Sequence, residues 1–150
     1  MNERLKGKFT IRTAGIVFFL SAALEVISLT SAVPLFGAIR SGSAAAAYHL
    51  FYAGLFAAIG IGLWVPKKWG IKAAFCGALF YSADKFLFLL DRAAMESYLL
   101  QIIADPSEIF QVIGMQSLFQ IITLMYILFI LGWWGFVGYL YLRRQYFTVP

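Results

Sequence analysis

The sequence has few of the charged residues from which soluble domains make their surfaces. Only 13% of its residues are charged and 62% are apolar, against about 25% and about 45–50% in ordinary soluble domains. Because a water-facing surface cannot be made from this composition, lipid is the expected solvent. The 150 residues have room for four spans of about 20 residues and little else. This predicts a single integral membrane domain over residues 1–150.

Residues that support common site chemistries are also scarce. The single cysteine, Cys76, excludes an internal disulfide and a two-thiol relay, and its place inside a span predicts a core thiol. The single histidine, His49, lacks co-ligands for zinc or di-iron, so no metal site is expected. Serine-protease, phosphate-loop and HExxH patterns are absent, so an enzyme is not indicated.

Four apolar stretches are long enough to cross a bilayer. We predict spans over residues 13–36, 48–65, 70–90 and 117–142. The first follows a basic segment, but its apolar run is too long for a cleaved secretory signal. The predicted fold is therefore an all-α transmembrane four-helix bundle.

Basic residues are concentrated on one side of these spans. The positive-inside rule assigns the side richer in Lys and Arg to the cytoplasm. Nine basic residues fall on one side, and Arg40 and Arg92 fall on the other. The nine are Arg4, Lys6, Lys8, Arg12, Lys67, Lys68, Lys72, Arg143 and Arg144. We therefore predict that both termini are cytoplasmic. The net charge of +5 follows from topology and does not indicate nucleic-acid binding.

The polar segment between spans three and four contains a predicted outer amphipathic helix. Its apolar face is formed by Met95, Leu99, Leu100, Ile102 and Ile103. The sequence DPSE at residues 105–108 is typical of a helix start, with Asp as N-cap and Pro at the first helical position. A further helix is therefore expected to begin near residue 106.

Polar residues inside the spans form the main candidate site. They are Glu25 and Ser28 in span one, Tyr81, Asp84 and Lys85 in span three, and Gln120 and Thr123 in span four. An ionised side chain in mid-membrane costs about 2.5–3.5 kcal/mol, so these residues should face protein or water. Glu25 and Lys85 fall at nearly the same depth, which predicts an ion pair between them. The cluster either holds the helices together or forms a pocket that opens to the outer side.

Two small-residue patterns indicate close helix packing. One is Gly54, Ala58 and Gly62 in span two, and the other is Gly132, Gly135 and Gly138 in span four. The sequence leaves open whether these faces pack inside the chain or against another subunit.

A resemblance to a known group lies in the middle of the chain. Residues 48–70 contain GIGLW at 60–64 and the short basic turn PKKWG at 66–70. This stretch resembles small uncharacterised bacterial four-span membrane proteins, loosely of the DoxX-like kind. The resemblance implies a bacterial inner-membrane location and carries over no functional residues.

Three classes of function remain open. The short chain and its glycine faces favour a non-catalytic accessory or structural subunit of a larger membrane complex. The alternative is a small-ligand or lipid-binding protein, or a transporter, that uses the polar cluster. The second alternative is a redox subunit associated with haem, chlorophyll or a quinone, with His49 as an axial ligand. Membrane lipid is an expected partner in every case, other membrane subunits or a second copy are open, and no particular cofactor is indicated.

Overall fold

Long apolar stretches become helices because, in lipid, a helix satisfies its backbone N–H and C=O groups within one segment. The computed structural model describes residues 7–102 and 114–148. Within them, four helices are long and apolar enough to cross a membrane. The elements are α1 (Lys8–Ile27), β1 (Val33–Leu35), β2 (Ala38–Arg40), α2 (Ser43–Trp64), α3 (Lys68–Leu90), α4 (Arg92–Ile102), α5 (Met115–Leu142) and a 3-10 helix (Arg144–Thr148). The predicted all-α class is confirmed, with one short β-hairpin added.

The β-hairpin replaces the predicted end of the first span. Helix α1 ends at Ile27, whereas the span was predicted to reach Phe36. Proline cannot continue a helix without loss of a hydrogen bond, and Pro34 lies in β1. Phe36 and Gly37 form the turn with φ values of 48° and 79°, and two positive φ values are what a tight hairpin turn requires. The predicted boundary of span one is therefore wrong.

Neighbouring helices along the chain are also neighbours in space. The pairs in contact are α1 with α2, α2 with α3, and α3 with α5. Where α1 and α2 cross, a Cβ atom added to Gly60 would lie 3.1 Å from the carbonyl oxygen of Gly15. A Cβ atom added to Gly62 of α2 would lie even closer to the backbone of Gly70 in α3. Glycines therefore allow backbone-to-backbone packing at both crossings.

Only part of the predicted glycine pattern serves packing inside the chain. Gly62 does, but an added Cβ at Gly54 would meet no described atom within 4 Å. Ala58 is half-buried. The three glycines of α5 also face open space with respect to the described residues: Gly132, Gly135 and Gly138. These three glycines therefore do not bring α5 into backbone contact with another described helix.

The two ends of the bundle differ in composition. At one end, Gly7 lies against Tyr139, and the Arg12 guanidinium lies 5.4 Å from the centre of the Trp64 ring. We call this the basic end, and its described basic residues are Lys8, Arg12, Lys67, Lys68, Lys72, Arg143 and Arg144. The opposite end carries the β-hairpin in contact with α4, and we call it the hairpin end.

The predicted helix between spans three and four is present as α4, and it packs across the hairpin end with only part of its predicted apolar face. Met95 and Leu99 are both buried, at 2% exposure, whereas Leu100 is exposed. Asp91 caps the helix, because its Oδ1 accepts a hydrogen bond of 3.0 Å from the backbone N–H of Ala94. The side chain of Ile102, residue Ile103 and the DPSE segment lie outside the described residues. Helix α5 begins directly after Gly114, whose φ is 78°.

We call the half of the bundle nearer the basic end the basic half, and the other half the hairpin half. The core of the basic half is apolar and aromatic. Phe18 of α1 packs against Trp133 of α5, with ring centroids 5.8 Å apart, and Trp133 Nε1 donates a hydrogen bond of 3.1 Å to the Ala74 carbonyl in α3. Cys76 is not part of this core, since its side chain is exposed. The predicted core thiol is therefore wrong, because position 76 of α3 faces away from the neighbouring helices.

Candidate functional site

The centre of the site is an ion pair between adjacent residues of α3. Lys85 Nζ lies 2.8 Å from Asp84 Oδ2, and the two residues are only 6% and 2% exposed. Adjacent helical side chains leave the axis about 100° apart, but the four-carbon stem of lysine is long enough to turn its ammonium back to the carboxylate. The two charges therefore neutralise each other within one helix.

Tyr48 of α2 completes a triangle with this pair. Its hydroxyl donates a hydrogen bond of 3.1 Å to Asp84 Oδ2 and accepts one of 3.1 Å from Lys85 Nζ. Two further aromatic rings surround the ammonium, since its nitrogen lies 5.8 Å from the ring centres of both Tyr81 and Tyr126. Aromatic faces attract a cation, so these rings replace part of the water that Lys85 has lost.

The β-hairpin supplies the third group that contacts the Asp84 carboxylate. The backbone N–H of Phe36 donates a hydrogen bond of 3.1 Å to Asp84 Oδ1. Phe36 is the only described non-glycine residue with positive φ, a conformation that costs roughly 1–2 kcal/mol for an L-residue. Such strain persists where surrounding contacts enforce it. The hydrogen bond to Asp84 is one such contact, and it fixes the hairpin over the ion pair.

A second ion pair joins α1 to α2. Glu25 Oε2 lies 2.6 Å from His49 Nδ1, and the other ring nitrogen, Nε2, lies 3.3 Å from the carbonyl oxygen of Ser31. His49 is 5% exposed. Both neighbouring oxygens accept hydrogen bonds, and either ring nitrogen can donate to its neighbour when it carries a proton. Because His49 directly follows Tyr48, the two ion pairs lie side by side at the hairpin end.

A cavity of about 420 Å³ borders the Asp84 pair. Its polar wall is made by Asp84, Tyr48 and Tyr52, and the rest of its lining is apolar. Phe36, Phe51 and Phe80 line it and are exposed on the outer surface of the bundle. The cavity therefore opens sideways between α2 and α3, where lipid would lie around a membrane-spanning bundle.

The predicted polar cluster is divided by the structure. The Glu25–Lys85 ion pair is wrong, because Glu25 contacts His49 and Lys85 contacts Asp84. Gln120 and Thr123 line a different cavity, beside Arg92. Ser28 lies at the end of α1, where its carbonyl accepts a hydrogen bond of 2.9 Å from the Ser31 N–H.

Three participants were not predicted: Tyr48, the partnership of His49 with Glu25, and the Phe36 amide. Counting residues from the helix ends would have found the partnership of Glu25 with His49. Both residues lie a few positions inside the helix ends that flank the hairpin. Periodicity could not find Tyr48, because the rotation of α2 about its axis depends on the glycine contacts. The Phe36 amide became available only because the first span ends early.

The surroundings of His49 bear on its possible use as a haem or chlorophyll ligand. Both ring nitrogens contact protein oxygens, so ligation would require one of these contacts to break. Within residues 7–102 and 114–148, no three His, Cys, Asp or Glu side chains are grouped as metal ligands.

Comparisons of the chain with protein-family models, curated proteins and solved structures gave no match. The functional argument therefore rests on the geometry of the site.

Proposed function

We propose that the chain is a multi-pass membrane protein that binds one small, mostly apolar molecule in the cavity beside Asp84. The observation that carries this proposal is a buried carboxylate on the wall of an apolar cavity that opens sideways from the bundle. Ligand sites commonly combine apolar walls with a few polar groups that fix orientation. Ionisable residues inside membrane helices also mark functional sites by default.

The hydrogen bonding of Asp84 indicates the class of ligand. A carboxylate can accept about four hydrogen bonds, and Asp84 accepts from the Phe36 N–H, the Tyr48 hydroxyl and the Lys85 ammonium. About one acceptor position is left toward the cavity. A ligand with a hydroxyl group on an apolar body fits this position, whereas an ammonium group would bring a second cation beside Lys85. We therefore propose a lipophilic alcohol.

The distribution of charge supports a particular orientation in the membrane. The basic end carries most of the Lys and Arg residues, so we assign it and both termini to the cytoplasm. The cavity then lies in the outer half of the bundle. The resemblance of residues 48–70 to small bacterial proteins of the DoxX-like kind supports a location in a bacterial inner membrane.

Binding is favoured over transport. A transport path needs polar access from both sides, but the core of the basic half is built from apolar residues such as Phe18, Phe56 and Ile59. No residue is assigned a catalytic role.

Native mass spectrometry of protein released from its membrane in a gentle detergent tests the proposal. Ala47→Phe should fill the cavity, because Ala47 lines it. Gly54→Phe is the matched control on the same helix, since no described atom lies near an added Cβ there. We expect a small-molecule adduct on the unmodified protein and on Gly54→Phe, but not on Ala47→Phe. An adduct on all three proteins, or on none, contradicts the proposal.

A second candidate is an accessory subunit of a larger membrane complex. It is favoured by the glycines of α5, beside which an added Cβ would meet no described atom, and by the small number of buried residues in that helix. A glycine face permits close approach of another membrane helix. Gly135→Leu should then release a stoichiometric partner that Gly54→Leu retains, as measured by blue native electrophoresis. Retention in both variants counts against the subunit role, and a coloured sample would support the redox alternative.

A further inference from the structure

The second cavity of the hairpin end has the features of a lipid site. It measures about 310 Å³ and lies between α3, α4 and α5. Its lining includes Leu89, Arg92, Gln116, Gln120, Thr123 and Ile127. None of these residues lines the cavity beside Asp84, so this site is independent of the proposed function.

Arg92 is a cation that the described part of the chain leaves without a carboxylate. The described ion pairs are Glu25–His49 and Asp84–Lys85, and Asp91, next in sequence, uses Oδ1 to cap α4. Among the described residues, Arg92 makes one long hydrogen bond of 3.4 Å, to Gln116 Oε1, and its guanidinium lies 5.8 Å from the Phe119 ring centre. An arginine has five N–H donors, and the described residues leave most of them without an acceptor.

The polarity of the cavity changes along one face of α5. Gln116, Gln120, Thr123 and Ile127 follow each other at helical spacing, so they lie on one face. The first of them is in the first turn of α5, which begins at Met115. The face is therefore polar at the end of the bundle and apolar toward its middle, as a headgroup followed by an acyl chain requires.

We propose that this cavity binds an anionic phospholipid. The phosphate would lie at the Arg92 guanidinium, which matches phosphate geometry with paired donors. The Gln120 amide and the Thr123 hydroxyl would donate to the phosphate and glycerol oxygens, and one acyl chain would run along Leu124 and Ile127. A headgroup with a single net negative charge, such as phosphatidylglycerol, matches the single cation, whereas a zwitterionic headgroup brings a second cation to the site.

Native mass spectrometry with a defined lipid mixture tests this proposal. The full chain is equilibrated with equal amounts of phosphatidylglycerol and phosphatidylcholine that carry the same acyl chains. Arg92→Gln removes the cation, and Arg40→Gln is the matched control, because Arg40 is the other basic residue at the border of the hairpin end and is exposed. We expect the unmodified protein and Arg40→Gln to favour phosphatidylglycerol by about tenfold, because the choline ammonium of phosphatidylcholine brings a second cation close to the Arg92 guanidinium. Arg92→Gln should lose that preference.

A second variant keeps the test decisive if Arg92→Gln does not fold. Gln120→Leu keeps the charge but removes a donor to oxygens that both lipids share, so it should lower the amount of bound phosphatidylglycerol by several-fold. Undiminished phosphatidylglycerol binding in Gln120→Leu overturns the proposal, as does a preference that survives Arg92→Gln or is lost equally in Arg40→Gln. Addition of millimolar inorganic phosphate should leave the bound lipid in place, and displacement of the lipid would show instead that the site takes free phosphate.

Discussion

The two halves of this bundle are held together in different ways. In the hairpin half, the buried charged and imidazole side chains of the described residues are collected in two ion pairs. In the basic half, glycines bring helix backbones into contact, and the core consists of side chains such as Ile59 and Leu63. The same helices therefore combine a half specialised for polar chemistry with a half specialised for packing. The proposed ligand site lies in the first, and the second provides the scaffold.

The largest effect is expected from the hairpin half. Asp84→Asn leaves the Lys85 ammonium buried without its counter-charge, and loss of one partner of a buried pair costs about 3–5 kcal/mol. The double variant Asp84→Asn with Lys85→Met removes both charges and should recover much of that loss. The free energy of unfolding in mixed micelles measures both effects. If the double variant were no more stable than Asp84→Asn, the pair would not be the source of the effect.

A substitution in the basic half gives the next largest effect. Gly62→Ala places a Cβ against the Gly70 backbone, and overpacking of a tight contact costs about 1–3 kcal/mol. Gly54→Ala is the control, since it has open space and should gain about 0.5–1 kcal/mol from the helix preference of alanine. The same unfolding measurement compares them. Equal stabilities for the two variants would remove the contrast between the halves.

The smallest effect concerns the second ion pair. Glu25→Gln keeps a hydrogen-bonding side chain beside His49 but removes its charge, and we expect a loss of about 1 kcal/mol in unfolding free energy. Glu96→Gln, at an exposed position of α4, should change the unfolding free energy by less than about 0.5 kcal/mol. Indistinguishable values would mean that the Glu25–His49 contact is dispensable, and the hairpin half would then depend on the Asp84 pair alone.

Hydropathy predicted the helices well because lipid leaves a spanning chain few alternatives. It failed at residues 28–36, since residues such as Val33 and Leu35 are as apolar in a hairpin as in a span. Counting residues along the helices placed Glu25 and Lys85 at a similar depth in the bundle. It could not show that their partners are His49 and Asp84, because pairing depends on the rotation of each helix and on the reach of each side chain. Gln120 shows the same limit: its depth was suitable, but the face of α5 that carries it is turned toward Arg92 and α4.

The placement of both charges of the central pair in one helix has a consequence for biogenesis. Helix α3 contains Asp84 and Lys85 as a pair without net charge, so it can be inserted by the translocation machinery without waiting for a neighbour to neutralise it. Glu25 of α1 has no such partner in its own helix and depends on His49, which is synthesised later as part of α2. The first helix therefore reaches its final environment only after the second has been made, whereas the third arrives already neutral.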